Sequence, residues 1–344
     1  METSVARNRH RSGLRQFRGL LISRGVGDEC FNDPNGGGNC RSSATADETR
    51  ALQNRCLCLQ NRSGFELMST YAEAIERRFG DGGPSSEGVA ENDFIRRVLL
   101  RKTVRRYSDV IPSDSLLDLL VAAALSTSAK SDFQQASILR VADPTKRTAI
   151  GALFPSMPWI GVSPVFFIFL GDARRLQRIG ELRGKPVRNG TLEGFFNASV
   201  DAALAMQTMI LCAESAGLGV CPISVIRNEI DKVAALLALP DLVFPVAGLC
   251  LGYPQTEGYV SLRLPRRVTT HRDRYDDSAL AQATDDYDRR RDALHAIPRE
   301  QQRSNAEFGE AAFYGWSEDK ARQAAKAEGA AFPPYLRSHG FGFD

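Results

Sequence analysis

Residues 197–217, "NASVDAALAMQTMILCAESAG", limit what this chain can fold into more than any other stretch. Read at helical spacing, they are apolar nearly all the way round. A helix without a polar face has to be enclosed by protein, so the pattern predicts a helix buried at the centre of a domain. Gly217 and Gly219 supply its stop signal. The elements around it are legible too. "ASILRVAD" (136–143) and "SPVFFIFLGD" (163–172) are rich in Ile, Val and Phe and read as strands. "VCPIS" reads as a short strand and "FPVAGLCLGYP" (244–254) as another buried one. The longest apolar runs, such as "VFFIFL" (165–170), are far short of a transmembrane span.

Three more helices are predicted. "ENDFIRRVLL" has helical spacing, and "IPSDSLLDLLVAAAL" follows with Pro112 and Ser113 in helix-start positions. "NEIDKVAALLAL" is read as a helix capped by Asn228, with acids in its first turn. The last hundred residues are polar and helical, without an obvious core of their own. At 344 residues the chain can bury a substantial core. Residues 1–90 differ from the rest. They combine an Arg-rich, acid-poor start with the linker "NDPNGGGN" and no sustained apolar period, which predicts poor order. A targeting-like segment fits that composition. Cys30, Cys40, Cys56 and Cys58 offer a zinc alternative but lack the paired C-x2-C spacing. The favoured reading is that this segment is not native to the folded protein and that Met68, which opens the helical "MSTYAEAIERRFG", is the true start. The expected organisation is therefore residues 1–90 as a poorly ordered segment and residues 91–344 as the domain, with a helical extension from about 265.

"LLRKTVRRYSD" (99–109) puts four cations, Arg101, Lys102, Arg105 and Arg106, into six positions. Like charges this close repel, so the cluster either spreads over a solvated face or has an anionic partner. The net charge of +3 is too small to point to nucleic acid or an anionic membrane. The usual catalytic sets are missing. His10, His271, His295 and His339 form no metal-like pair and read as surface residues, and no Gly-rich dinucleotide turn or P-loop occurs. Seven cysteines at irregular spacing are no disulfide framework, which suggests a reducing, cytoplasmic setting. Cys212 and Cys250 fall inside apolar elements, and Cys221 has no base to activate it. An organised chain without nucleophile or metal set suggests chemistry carried by a cofactor.

"RKTVRRYSDVIPSDSLLDLLVAAALSTSAKSDFQQASILRV" resembles the opening of the nitroreductase family of flavoenzymes. That family begins with a basic R-x-S/T-x-R segment, a helix, and a Ser-containing loop ending in Gln. "CAESAGLGVCPISVIRNEIDKVAALLALPDLVFPVAGLCLGYP" resembles its second half, with A-E-S-x-G-L-G, a short strand, an R-N-led helix, L-x-L-P and a strand ending L-G-x-P. "LRLP" (262–265) and "WSEDKAR" (316–322) resemble the branch of oxygen-insensitive NADPH nitroreductases and flavin reductases. The resemblance covers residues 91–344 and implies an α+β fold: a mixed sheet flanked by helices, in a homodimer that binds FMN between subunits.

It also assigns a purpose to the basic cluster. FMN carries a phosphate dianion, and arginine forks match phosphate oxygens. The resemblance implies Arg101 and Arg105 as phosphate and ribityl contacts, with Lys102 and Thr103 between them. It implies Lys130, Ser131 and Gln135 (Gln134 if the register slips) as flavin-ring and ribityl contacts, with Trp159 beside the flavin. Pro222, Ile223 and Ser224 would lie at the flavin N5/O4 edge, with backbone N–H groups from Ile223 and Ser224. Arg263 matches an arginine near the phosphate, and Ser261 stands where the family has a lysine. The implied reaction passes two electrons from NADPH or NADH through FMN to a nitroaromatic, quinone or flavin acceptor, with no catalytic residue and no metal required. Arg299 and Arg303, in "RRRDALHAIPREQQR", are the candidates for the 2′-phosphate of NADPH. A flavin-binding module without turnover, or a nicotinamide-dependent α/β dehydrogenase, are the alternatives.

Overall fold

The computed structural model describes residues 70–82 and 88–343. Its centre is two strands, β2 (Val165–Asp172) and β4 (Val243–Gly252), in which nearly every residue is buried. β1 (Ala136–Arg140) and β3 (Gly219–Ile223) flank them in the order β1-β2-β4-β3, and every pair is antiparallel. A parallel pairing occurs as the isolated bridge Thr191–Gly342. Alternate residues of β2 point to opposite faces. Phe167 and Phe169 pack with Leu249 and Leu251 against α3 (Asp114–Leu125) and α7 (Leu192–Ser215). Phe166, Ile168 and Leu170 pack on the other face against Ile150, Ile160 and Val233. Those residues come from α4 (Pro144–Ala152), α5 (Trp159–Val162) and α8 (Ile230–Leu237). A sheet covered on both faces needs uninterrupted apolar strands, which is why β2 and β4 show no alternation. All four predicted strands are present.

The helices depart from expectation in three places. α7 begins at Leu192, behind the cap Thr191, five residues before the predicted start. It is also not enclosed within this chain. Leu192, Phe196, Val200 and Leu204 are 59%, 60%, 38% and 41% exposed, and their four-residue spacing makes them one stripe. The opposite side, with Ala198, Ala202, Ala205 and Met209, is the buried one. Asn228 does not cap α8. It closes a short 3-10 turn, Val225–Arg227, and Glu229 is the residue before the helix. α2 (Asp93–Leu99) and α3 are capped by Asn92 and Ser113, as their sequences suggest.

The boundary at residue 90 also shifts. α1 (Tyr71–Phe79) lies within the segment that composition set aside, closed by a capping box between Thr70 and Glu73. Tyr71, Ala74 and Ile75 are buried, and Ala74 shares a cluster with Leu100 and Val260. The sequence already marks this helix in "MSTYAEAIERRFG", although a boundary drawn at residue 90 leaves it outside the domain. Residues 1–69, with Met68, His10, Cys30, Cys40, Cys56 and Cys58, lie outside the described residues.

After β4 come α9 (Leu280–His295), α10 (Asn305–Phe308), α11 (Trp316–Ala324) and α12 (Phe332–Ser338). The end of this extension joins the core of the main domain. Tyr335, Leu336 and Phe341 are buried with Phe244 of β4, and the Phe244 and Phe341 rings meet edge to face at 5.4 Å. A few aromatics spread through a polar sequence leave no periodic trace.

Candidate functional site

The basic segment runs along the free edge of β3. Val104 N–H donates to the Val220 carbonyl at 2.9 Å, and the Tyr107 hydroxyl donates to the Val104 carbonyl at 2.7 Å. Gly219 permits this approach, since a Cβ there would lie 2.7 Å from the Val104 side chain. Val104 is buried, and the charged residues on either side of it mark one corner of the sheet. Arg101 Nη2 pairs with Glu214 Oε1 at 2.9 Å, at the C-terminal end of α7. Burial raises the Glu214 carboxyl while Arg101 opposes that shift. Arg105 is exposed and lies over the Trp159 ring, 5.5 Å from its centroid. Burial likewise raises the Cys221 thiol, against Arg105, Trp159 and Arg101. Lys102 and Thr103 are half-buried beneath Gly258, where a Cβ would sit 3.0 Å from the Thr103 carbonyl oxygen. Arg263 joins this corner through its backbone N–H, which donates to the Arg78 carbonyl at 2.8 Å.

β3 presents the rest of its expected contacts unevenly. Because the Val220 carbonyl faces the basic segment, the two-residue period turns the backbone groups of Ile223 toward β4. Pro222 and Ser224 are exposed, and Pro222 has no N–H to offer. Ser224 is therefore the member of the trio whose N–H can face a ligand.

The remaining predicted contacts are elsewhere. Lys130, Ser131 and Gln135 belong to a loop before β1, at the other edge of the sheet, held by Asp201 near the middle of α7. About 20 Å of helix separates Asp201, which holds this loop, from Glu214, at 1.5 Å per residue. Asp201 is buried and accepts from Lys130 N–H at 2.9 Å and Gln135 N–H at 3.0 Å. Ser131, Asp132 and Gln134 all have positive φ, at 50°, 56° and 53°, a conformation that favours glycine. The loop lines a cavity of about 480 Å³ with Thr127, Ser128, Asp132, Gln134, Arg175 and Asp201. A single chain thus brings Arg101, Arg105, Trp159, Arg263 and the end of β3 together, but not Lys130, Ser131 and Gln135 with them.

Three predicted residues carry buried donors without acceptors: Arg101 Nε, Trp159 Nε1 and Gln135 Nε2. Orphaned buried donors are costly, so acceptor atoms from a ligand would satisfy them. The residues fit FMN in charge and in hydrogen-bonding sense.

Arg299 and Arg303 lie within the extension. Arg299 is exposed and pairs with Glu310. Arg303 Nε pairs with buried Asp319 at 3.1 Å, in a network with the Tyr314 hydroxyl and Lys320. Arg303 thus has a structural task in the extension, whereas Arg299 faces solvent. Sequence reading missed Glu214, Asp201 and Arg78. Glu214 stood inside the "CAESAGLG" motif and was legible there. Asp201 was visible only as the one acid in "NASVDAALAM".

The sequence profile described as Nitroreductase family matches residues 98–253, and the family's C-terminal domain profile matches residues 261–344. The chain is 36% identical over 186 residues to a protein named FMN reductase (NADPH) from Bacillus subtilis, covering 54% of this chain and 75% of that protein. The chain belongs to the nitroreductase family. It is 33% identical over 174 residues to the oxygen-insensitive NADPH nitroreductase of Salmonella typhimurium, covering 51% of this chain and 71% of that one. Among solved structures, B. megaterium NfrA2 superposes with a TM-score of 0.67 at 29% identity, over 74% of this nitroreductase-family chain and all of that one. The NADPH:FMN oxidoreductase of Vibrio harveyi complexed with NAD+ superposes at 0.64 and 27% identity, over 73% and 99%.

Proposed function

We propose that this protein is an FMN-dependent oxidoreductase that takes two electrons from NADPH or NADH and delivers them to a nitroaromatic, quinone or flavin acceptor by a ping-pong mechanism. The observation that carries this reading is the basic corner. Arg101 and Arg105 flank a buried strand-like turn, Arg263 is hydrogen-bonded into it, and the Arg101 and Trp159 donors there lack acceptors. A phosphate dianion and a flavin edge supply both the charge and the acceptors. FMN, once bound, would supply the redox chemistry. The chain's own residues then have limited tasks. Arg101, Arg105 and Arg263 hold the phosphate end, Lys102 and Thr103 border it, and Trp159 and Ser224 line the ring side. No side chain is asked to move a proton. The FMN reductase of Bacillus subtilis and the nitroreductase of Salmonella typhimurium, by their names, support the donor and acceptor classes.

The site is completed in a homodimer. The apolar stripe Leu192, Phe196, Val200 and Leu204, with exposed Leu119 and Leu125 on the neighbouring α3, is a face that a second copy would cover. α7 is long and apolar enough by composition to cross a membrane, but a subunit contact accounts for its stripe equally well. A second chain can carry its Lys130–Gln135 loop to the first chain's basic corner, which one chain alone does not do. We place the enzyme in the cytoplasm, where its free thiols Cys212, Cys221 and Cys250 stay reduced.

The full chain should purify with flavin absorbance and oxidise NADPH faster when a quinone is added. Double-reciprocal plots at several quinone concentrations should be parallel. A colourless protein that does not take up FMN would sink the proposal. A coloured protein with no quinone-dependent NADPH oxidation would leave only a flavin-binding module.

A further inference from the structure

The match to the first family profile begins at residue 98, so α1 precedes it, yet α1 is tied into the basic corner by several hydrogen bonds. Arg78 is 5% exposed and donates from all three of its nitrogens to main-chain carbonyls. Nε reaches Leu99 at 2.7 Å, Nη2 reaches Arg101 at 2.6 Å and Nη1 reaches Ser261 at 2.9 Å. Its own carbonyl accepts from Arg263 N–H at 2.8 Å. The extension secures the end of the same helix. Arg290 donates to the Glu76 and Arg77 carbonyls, and Asp81 accepts from the Arg266 backbone at 2.8 Å and from its guanidinium. One side chain therefore fixes the relative position of residues 99–101 and 261–263, both of which border the proposed phosphate site.

The electrostatics of this arrangement are one-sided. Burial lowers the Arg78 pKa to about 10, with Arg263, Arg101 and Arg77 acting in the same direction and Glu214 against them. Guanidinium groups held this close repel unless an anion joins them. Ser261, whose carbonyl Arg78 binds, stands where the family pattern has a lysine, so one cation is missing from the usual set.

We propose that Arg78 is a positioning residue for the flavin phosphate, holding the Arg101 and Ser261 backbones in place and supplying a fixed positive charge where Ser261 brings none. This rests on the reading of the basic corner as an FMN site. The competing role is purely structural, a buried arginine that ties three carbonyls together without any bearing on a ligand.

Riboflavin separates the two, because it is FMN without the phosphate. The full chain, freed of flavin, is titrated with FMN and with riboflavin while flavin fluorescence quenching is followed. In Arg78→Ala the preference for FMN over riboflavin should fall about tenfold or more, with riboflavin affinity unchanged. Arg78→Lys, which keeps the charge but has one nitrogen to offer three carbonyls, should give a preference between those of the wild type and Arg78→Ala. A preference unchanged in Arg78→Ala, or equal weakening of both ligands, would overturn the assignment. Should circular dichroism show Arg78→Ala unfolded, Arg78→Gln retains amide donors without the charge. The same titration then applies to it, with the same results supporting or overturning the role. A wild type that binds both flavins equally well would overturn the phosphate reading itself, and Arg78's role with it.

Discussion

At the Glu214 end of α7 the chain packs arginines against a single carboxylate, while near the middle of the helix a single carboxylate, Asp201, pins both sides of a turn with three residues of positive φ. The first corner is rigid. Its backbone is hydrogen-bonded to β3, its glycine makes room for Val104, and Arg101, Lys102 and Thr103 are half-buried while Arg105 and Arg263 are exposed. The second is a turn whose side chains, apart from Gln135, face solvent. Repulsion among cations destabilises the first corner until an anion arrives. Backbone strain of about 1–3 kcal/mol per residue destabilises the second, and Asp201 offsets it. The two regions are therefore held in shape by different means, one by backbone pairing beneath a cluster of positive charge, the other by one buried carboxylate under a strained turn.

The largest expected effect lies at the exposed apolar stripe of α7. Phe196→Asp should leave the protein monomeric by light scattering and free of flavin, since an uncompensated charge buried in an interface costs about 3–5 kcal/mol. A flavin-loaded dimer in that variant would mean the stripe is not the subunit face. Asp201→Ala removes both anchors of the 130–135 loop. It should lower stability by about 3 kcal/mol in urea unfolding, as two backbone bonds to a buried carboxylate are lost. Preserved stability there would show that the loop holds its own shape.

How much of this contrast could be seen in the sequence differs by corner. The four cations in six positions fitted a solvated face as well as an anion site, and the basic corner was legible only through the family resemblance. Its most buried member, Arg78, was not, because its partners are carbonyls of residues 99, 101 and 261, and any residue supplies a carbonyl. The loop was legible as polar side chains but not as strained backbone, since Ser131, Asp132 and Gln134 contain no glycine to announce positive φ. The strands followed directly from "VFFIFL" and "VAGLCLG". The start of α7 was hidden because Gly194, in the helix's first turn, resembles a break. The Asn189 carbonyl occupies the space that a Cβ there would need. The exposed side of α7 was read as core because composition alone does not say which of its apolar residues this chain buries.

Two smaller effects sharpen the picture. Arg105→Ala should weaken FMN binding by about 2 kcal/mol, the range for a charge-assisted contact, read by equilibrium dialysis. A full complement of flavin in the purified variant would move the phosphate away from this corner. The smallest effect concerns the donor. If Arg299 meets the 2′-phosphate, Arg299→Ala should reduce the kcat/KM preference for NADPH over NADH about tenfold, whereas Arg303→Ala should chiefly loosen the extension around Asp319. Equal preferences in wild type and Arg299→Ala would clear Arg299 of the role.

α7 also sets where this protein can change length. Because one uninterrupted helix fixes both Asp201 and Glu214, a single residue added between them would rotate everything beyond it by roughly 100° and carry Glu214 off Arg101. The segment therefore acts as a gauge with no slack, and the distance between the two halves of the site is written into a count of residues.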